Sequence, residues 1–219
     1  MTKILLVGPN GRMGRAIKDC VAKSNEYEIT RELDSKSWKN AVEEKAKVDV
    51  IIDFSLPAAL NDVVKLVESH NVPLVSGVTG YSQAQLQQIG KLSQKVPILH
   101  SHNMSPGIAW LRRVLSQVPI EWKTQAHLID IHHKEKRDTP SGTAKTLAED
   151  LGVSIEQISS IRSGSAIGLH SVIFSLPDEE LVIEHRALSR NLFARGALQA
   201  SLWIQNKRPG LYSMVDMFS

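Results

Sequence analysis

The sequence predicts an α/β chain in two parts: a parallel-sheet domain, then a smaller α+β domain with an open mixed sheet. Three observations predict it. Strand-like and helix-like segments alternate as far as position 104, the pattern of a parallel sheet with right-handed crossovers. A glycine-rich turn, Gly8-Pro9-Asn10-Gly11-Arg12-Met13-Gly14, joins the first strand to the first helix. Beyond 105 the alternation gives way to consecutive strand-like runs, as in an α+β arrangement.

The first strand, 3–7, is a continuous apolar run, as in a buried parallel strand. The helix after it carries Ile17 and Val21. Gly8, Gly11 and Gly14 stand in G-x-x-G-x-x-G spacing, a variant of the dinucleotide fingerprint. Its glycines serve the tight turn, close approach of a pyrophosphate and close helix-to-strand packing. The setting between strand and helix gives the motif its weight. This first part therefore reads as a Rossmann-like dinucleotide-binding domain. A second strand, 27–33, ends at Asp34, 20 residues after Gly14. An acid there is placed to bond the adenosine ribose; Glu32, inside the strand, is the alternative.

Two further strand–helix units follow. The strand at 48–54 leads through Ser55-Leu56-Pro57 to a helix carrying Leu60, Val63, Val64 and Val67. The strand at 73–76 leads through Gly77-Val78-Thr79-Gly80 to a polar helix around Leu86 and Ile89. A strand at 96–99 then enters Ser101-His102-Asn103-Met104. Parallel sheets bind ligands at the carboxyl ends of their strands, and all of these ends are small or polar.

A helix at 108–118 opens the second part, followed by strands at 123–133, 159–162, 171–176 and 181–188. Pro177-Asp178-Glu179-Glu180 forms the turn between the last two. A helix at 191–206, with Leu198, Leu202 and Trp203 on one side, and a tail at 211–218 return to the first domain. The expected domains are thus 1–104 with 191–219, for the dinucleotide, and 105–190, for substrate and oligomerisation.

The strand at 123–133 feeds the most informative stretch, from Asp130 to Thr143: Asp-Ile-His-His-Lys-Glu-Lys-Arg-Asp-Thr-Pro-Ser-Gly-Thr. A helix follows, with Ala144, Leu147, Ala148 and Leu151 on one face and Gly152 as its stop. A helix N-terminus offers free N–H groups and partial positive charge to an anion. Gly142 permits close approach, and Ser141 and Thr143 add hydroxyls. The histidine pair and Lys136 add cationic contacts and a proton. Taken singly, Ser and Thr here are ordinary caps and the lysines an ordinary solvated loop; the combination at a strand end favours chemistry. Zinc is disfavoured, because adjacent His132 and His133 diverge on a strand and no metal-ligand spacing accompanies them.

Bulk properties fit this reading. A chain of 219 residues buries roughly 70% of its unfolded surface. A net charge of +3 and a pI near 9.0 suit an anionic small molecule. The absence of a dense basic block with interleaved aromatics argues against nucleic acid. Cys20 is the only cysteine, so no intrachain disulfide forms, as in a reducing compartment; its place on a helix suggests a buried thiol. No leader pattern and no apolar run of membrane-spanning length are seen. The expectation is a cytoplasmic protein with no membrane partner.

Together, Gly-Pro-Asn-Gly-Arg-Met-Gly-Arg near the start, Asp-Phe-Ser at 53–55, Gly-Val-Thr-Gly at 77–80 and His-His-Lys-Glu-Lys-Arg-Asp-Thr-Pro-Ser-Gly-Thr-Ala at 132–144 resemble the 4-hydroxy-tetrahydrodipicolinate (dihydrodipicolinate) reductases. The resemblance spans the whole chain, and the histidine stretch is its most specific part. It implies NAD(P)H-dependent reduction of 4-hydroxy-tetrahydrodipicolinate in lysine and diaminopimelate synthesis. It implies NADH and/or NADPH held by Gly8, Pro9, Asn10, Gly11, Arg12, Met13, Asp34, Gly77, Val78, Thr79, Ser101, His102, Asn103 and Met104. His132 is implied as catalytic proton donor or acceptor and Lys136 as proton donor. His133, Gly142 and Thr143 are implied contacts of a cyclic dicarboxylate substrate, with no metal. It also implies a homotetramer assembled through the second domain, and domain closure about hinges near 104 and 190. Ser35 stands where the family often has an Arg that holds a 2′-phosphate, which tilts the expectation toward NADH unless Lys36 substitutes. The segment from 34 to 48 is short for the family, and His102 and Met104 replace residues common there. Two other readings remain: a sensor that binds NADH without turnover, and a dehydrogenase of another amino-acid precursor. Turnover of the cyclic dicarboxylate separates all three.

Overall fold

The computed structural model describes residues 1–34 and 47–219; Ser35 and Lys36 lie outside them. In chain order the elements begin β1 (Thr2–Val7), α1 (Arg12–Val21), β2 (Tyr27–Leu33), β3 (Val50–Asp53), α2 (Leu60–His70), β4 (Leu74–Ser76), α3 (Gln83–Leu92) and β5 (Pro97–His100). Next come α4 (Pro106–Leu115), α5 (Ile120–Lys123), β6 (Ala126–His132), α6 (Gly142–Leu151), β7 (Ile158–Arg162), β8 (Leu169–Ser175) and β9 (Glu180–Arg186). The chain closes with α7 (Asn191–Ile204) and β10 (Gly210–Tyr212). These form two compact units, Met1–Met104 with Phe193–Met217, and Ser105–Leu192 with Phe218–Ser219.

In the first unit the described strands lie in the order β10-β5-β4-β3-β1-β2, and every neighbouring pair is parallel. Their apolar runs are buried on both faces: Ile4 to Val7 and Val50 to Ile52 are inaccessible to solvent. Helices supply the covering layer through Leu60, Val63, Leu66 and Val67 of α2 and Ile89 and Leu92 of α3. One residue expected on an apolar face, Leu202, is corrected: it is 36% exposed. Leu86 is 37% exposed, and Ile89 and Leu92 form the buried face of α3. In α7 the buried face is built largely of Ala194, Ala197, Ala200 and Ser201, small residues that let the helix lie close. In the tail, β10 pairs with β5 in parallel. Trp203 of α7 meets Tyr212 edge-on at 5.4 Å.

The strand order reverses direction at β1, which lies between β2 and β3. Such a switch point opens a crevice at the strands' carboxyl ends. The Gly8 turn leaves β1 there, and Phe54 and Ser55 follow β3 beside it.

In the second unit the described sheet runs β7-β6-β8-β9. The pair β6–β7 is parallel, and β6–β8 and β8–β9 are antiparallel, a mixed sheet as expected. One face packs on α4 and α6 through Ile108, Leu111, Leu115, Leu147, Leu151, Val172 and Phe174. Burying a side chain such as Phe174 contributes roughly 1.5–3 kcal/mol. Arg112 of α4 grips Asp150 of α6 with two hydrogen bonds, 2.6 and 2.9 Å, and so fixes the second helix against the first. The strand expected from 123 begins at Ala126, because Ile120–Lys123 forms α5.

Candidate active site

Local chemistry places the turn after β1. Gly8 adopts φ +78°, and a Cβ on it would stand 2.7 Å from the Phe54 carbonyl oxygen. A Cβ on Gly14 would overlap the Gly8 carbonyl oxygen, so α1 approaches β1 only because residue 14 is glycine. Gly11 is the N-cap of α1 and no side chain caps it. Its turn N–H groups therefore suit an anion such as a diphosphate. Pro9 is buried, Asn10, Gly11 and Arg12 are exposed, and Met13 is intermediate. Asn10 donates to Asp34 at 3.0 Å, which places that carboxylate beside the turn. Glu32 instead pairs with Lys18 at 3.0 Å.

The other strand ends of this unit also gather here. Gly77 follows β4, and a Cβ on it would strike the Phe54 ring. Thr79 is exposed, whereas Val78 and Met104 are buried, which leaves their backbone rather than their side chains for a ligand. After β5, Ser101 donates to the Asn103 carbonyl at 2.8 Å. His102 lies edge-on to His100, 4.9 Å between centroids. Asp53, wholly buried at the end of β3, accepts from the Ser55 N–H at 2.9 Å. Burial pushes its pKa up to about 6. Cys20, read as buried, is only half-buried on α1, and burial raises its thiol pKa.

The second unit brings buried acidic and histidine side chains together with an arginine. Asp130 and His132 lie two apart on β6 and share its inward face. Asp130 is 0% exposed. Its Oδ2 accepts from the Ser141 N–H at 3.0 Å, the Ser160 hydroxyl at 3.2 Å and the Arg162 guanidinium at 2.9 Å. Its Oδ1 lies 2.8 Å from Nδ1 of His132 and 3.6 Å from Nδ1 of His170. The His132 approach is bent away from ideal hydrogen-bond geometry, and the His170 contact is too long to be a hydrogen bond. Burial alone would raise the Asp130 pKa; hydrogen bonds from His132, Ser141 and Arg162 outweigh it and hold the carboxyl far below its ordinary range. His170 meets the His132 ring edge-on at 5.2 Å, and burial lowers its pKa to about 4.

His132, the last residue of β6, is buried, and His133, just beyond the strand, is half-buried. Lys136 reaches Asp138 at 2.8 Å. Burial pushes the Asp138 pKa up, and Lys136, chiefly by its hydrogen bond, pulls it below the ordinary value. Ser141, offered by the sequence as a possible ligand donor, is instead the buried N-cap of α6, accepting from the Ala144 N–H at 3.2 Å. Gly142 is exposed with nothing within 4 Å of a notional Cβ; Thr143 is half-buried.

Asp130, His132 and His170 also form a group whose ligand atoms lie within 4.8 Å of one another, close enough to share a cation. The guanidinium of Arg162 already supplies positive charge at that carboxylate. Sequence reasoning gave no role to Asp130, Asp138, Arg162 or His170. For Asp130 the two-residue spacing from His132 was the available signal. No helix among the described residues is long and apolar enough to cross a membrane.

Comparison with known proteins gives a consistent result. The family models described as "Dihydrodipicolinate reductase, N-terminus" and "Dihydrodipicolinate reductase, C-terminus" match residues 2–104 and 108–218. A 4-hydroxy-tetrahydrodipicolinate reductase of Alkaliphilus oremlandii is 35% identical over 99% of this chain and 98% of its own. That of Bdellovibrio bacteriovorus is 38% identical over 98% and 95%. Among solved structures, a dipicolinate-bound dihydrodipicolinate reductase from Paenisporosarcina sp. TG-14 superposes with a TM-score of 0.81 at 20% identity, covering 97% of both chains.

Proposed function

The chain belongs to the dihydrodipicolinate reductase family, and we propose that its two units divide the reaction between cofactor and proton. The reaction is reduction of 4-hydroxy-tetrahydrodipicolinate to tetrahydrodipicolinate in lysine and diaminopimelate biosynthesis. The first unit holds a nicotinamide dinucleotide and the second binds the cyclic dicarboxylate and supplies the proton. What carries this reading is the grouping of His132, Lys136 and the α6 N-terminus around two carboxylates, Asp130 and Asp138.

The residues of the first unit fit a dinucleotide. A side chain at Gly8 or Gly14 would fill the turn, and the uncapped start of α1 suits a diphosphate. When bound, the nicotinamide supplies hydride. Gly8, Pro9, Asn10, Gly11, Arg12 and Met13 cradle the diphosphate; Gly77, Val78, Thr79, Ser101, His102, Asn103 and Met104 line the path of the rest. Asp34 takes the ribose hydroxyls and repels a 2′-phosphate, so NADH is favoured or both cofactors are used. Asp34→Ala is expected to weaken NADH about tenfold, the scale of one charged hydrogen bond, and NADPH less. Ratios of kcat/KM for the two cofactors check this; a clear NADPH preference in the unaltered enzyme would count against it.

In the second unit, Gly142 and Thr143 receive a substrate carboxylate at the helix N-terminus, and His133 contacts the substrate. Lys136 donates a proton, and His132 donates or accepts one. Thr143→Val keeps the shape and removes the hydroxyl. It is expected to raise the substrate KM roughly tenfold with NADH affinity unchanged. An unchanged KM leaves Thr143 as a helix residue only.

Assembly as a homotetramer through the second unit and a cytoplasmic setting belong to this reading. Supporting the first, Ile161, Leu181 and Val182 are exposed on β7 and β9. The decisive experiment is an NADH and NADPH oxidation assay in which substrate is generated from pyruvate and aspartate semialdehyde. Cofactor binding without oxidation would favour a sensor. Oxidation only with another precursor would favour a different dehydrogenase.

A further inference from the structure

We propose that Asp130 is a positioning residue: its carboxylate holds His132 as the tautomer protonated on Nδ1, leaving Nε2 for proton exchange, and the same group fixes the start of α6. The inference rests on the reductase reading above and adds to it the residue that orients the proton-transfer group.

The two oxygens of Asp130 face different partners. On one side Oδ2 takes the Ser141 N–H, the Ser160 hydroxyl and Arg162, which anchors the residue that caps α6. On the other, Oδ1 faces Nδ1 of His132 at 2.8 Å. An ionised carboxylate has no proton to give. A lone pair on Nδ1 at that distance would meet a second lone pair inside a buried site. The hydrogen therefore belongs on Nδ1, even with a bent approach. In the neutral ring the lone pair is then on Nε2. That edge lies beside Gly168, where a Cβ would stand 3.1 Å from Nε2, so the missing side chain leaves room at the reacting atom.

The rest of the network keeps Asp130 ionised and undistracted. Arg162 balances its charge and also donates to the Asp138 carbonyl at 2.7 Å, tying the loop that bears Lys136 to the same carboxylate. His170, the other ring near Oδ1, is neutral at neutral pH because its pKa lies near 4. One buried acid thus sets the tautomer of His132 and the register between that ring and the anion-binding helix end. Charge balance by Arg162 also gives the Asp130–His132–His170 cluster a role without a bound cation.

The test begins with the unaltered enzyme. Nitrogen-15 spectra of histidine-labelled protein, with His132 assigned by its loss in His132→Gln, are expected to show neutral His132 protonated on Nδ1. In Asp130→Asn the carboxamide oxygen can keep the Ser141 and Arg162 side, while its NH2 group turns to Nδ1. The expected result is the reversed tautomer and a kcat lower by about 100-fold, the scale of a lost general acid or base. Binding of pyridine-2,6-dicarboxylate and of NADH should be little changed. Two results overturn the proposal: an Nε2-protonated His132 in the unaltered enzyme, or full kcat in a folded Asp130→Asn. If Asp130→Asn does not fold, the spectra of the unaltered enzyme still decide. If the unaltered enzyme shows no turnover, the reductase reading fails while the tautomer measurement stands.

Discussion

Lys136→Met and His132→Gln are each expected to lower kcat by at least about 100-fold, because loss of a general acid or base costs roughly 10²–10⁴ in rate. Hydride addition to a conjugated imine leaves negative charge on the substrate, and a proton must follow. Lys136 sits on the loop after β6 with a flexible ammonium, paired with Asp138 at 2.8 Å. A substrate carboxylate at the α6 N-terminus would compete with Asp138 for that ammonium and bring it onto the substrate. His132 is buried on the strand and cannot travel in this way. The two residues are therefore not interchangeable, and neither variant should rescue the other. NADH binding, followed by fluorescence, should survive both changes, since the proposed cofactor residues lie in the other unit. If Lys136→Met raises KM alone, Lys136 is a carboxylate clamp and the proton comes from His132 or water. Near-full activity in both variants would remove the catalytic assignment of the whole stretch.

The parts of this site that were legible in the sequence are local ones. A glycine spacing between a strand and a helix, an acid at the next strand end, and Ser-Gly-Thr at a helix start each carry their geometry within a few residues. Of the two acids weighed there, Glu32 turns to Lys18 of α1 and Asp34 accepts from Asn10 of the glycine turn. What the sequence did not disclose is the set of long-range partners. Asp130 meets Ser160 and Arg162 only because β6 pairs with β7 in one register. It meets His170 only because β8 lies on its other side. Pairings between strands separated by 30 to 40 residues leave little trace in one sequence. Hydrophobic patterning erred for a different reason: it gives weight to large side chains. Leu202 looked like the inner face of α7 alongside Leu198. Leu198 and Ile204 are buried there, but Ala194, Ala197 and Ala200 rather than Leu202 make up much of the rest, because a helix that packs closely needs small residues at its contact.

Asp53→Asn is expected to gain stability relative to the unaltered protein as pH rises from 4 to about 6.5. Asp53 is wholly buried at the end of β3; Oδ1 accepts from Ser55, and Oδ2 has no hydrogen-bond partner among the described residues. Burial raises its pKa from 3.8 to about 6. Below the lower value the folded and unfolded chains both hold the proton, and the residue carries no pH-dependent cost. As pH rises toward 6 the unfolded chain releases its proton first, so stability falls. Above about 6 both states are ionised and the cost is constant. At 1.36 kcal/mol per pKa unit it amounts to roughly 3 kcal/mol at most. The amide removes the titration but leaves a buried NH2 group in place of Oδ2, which returns about 1–3 kcal/mol of unmet hydrogen bonding. The pH dependence is therefore the sharper observable. The difference in melting temperature between Asp53→Asn and the unaltered protein should move in favour of the variant from pH 4 to about pH 6.5 and then level off. Calorimetry across that range checks it, and a difference independent of pH would show that Asp53 titrates as an ordinary carboxyl. Proteins tend to retain such costs at functional positions. This one lies beside the Gly8 turn, where a charge on Asp53 would oppose an anionic diphosphate.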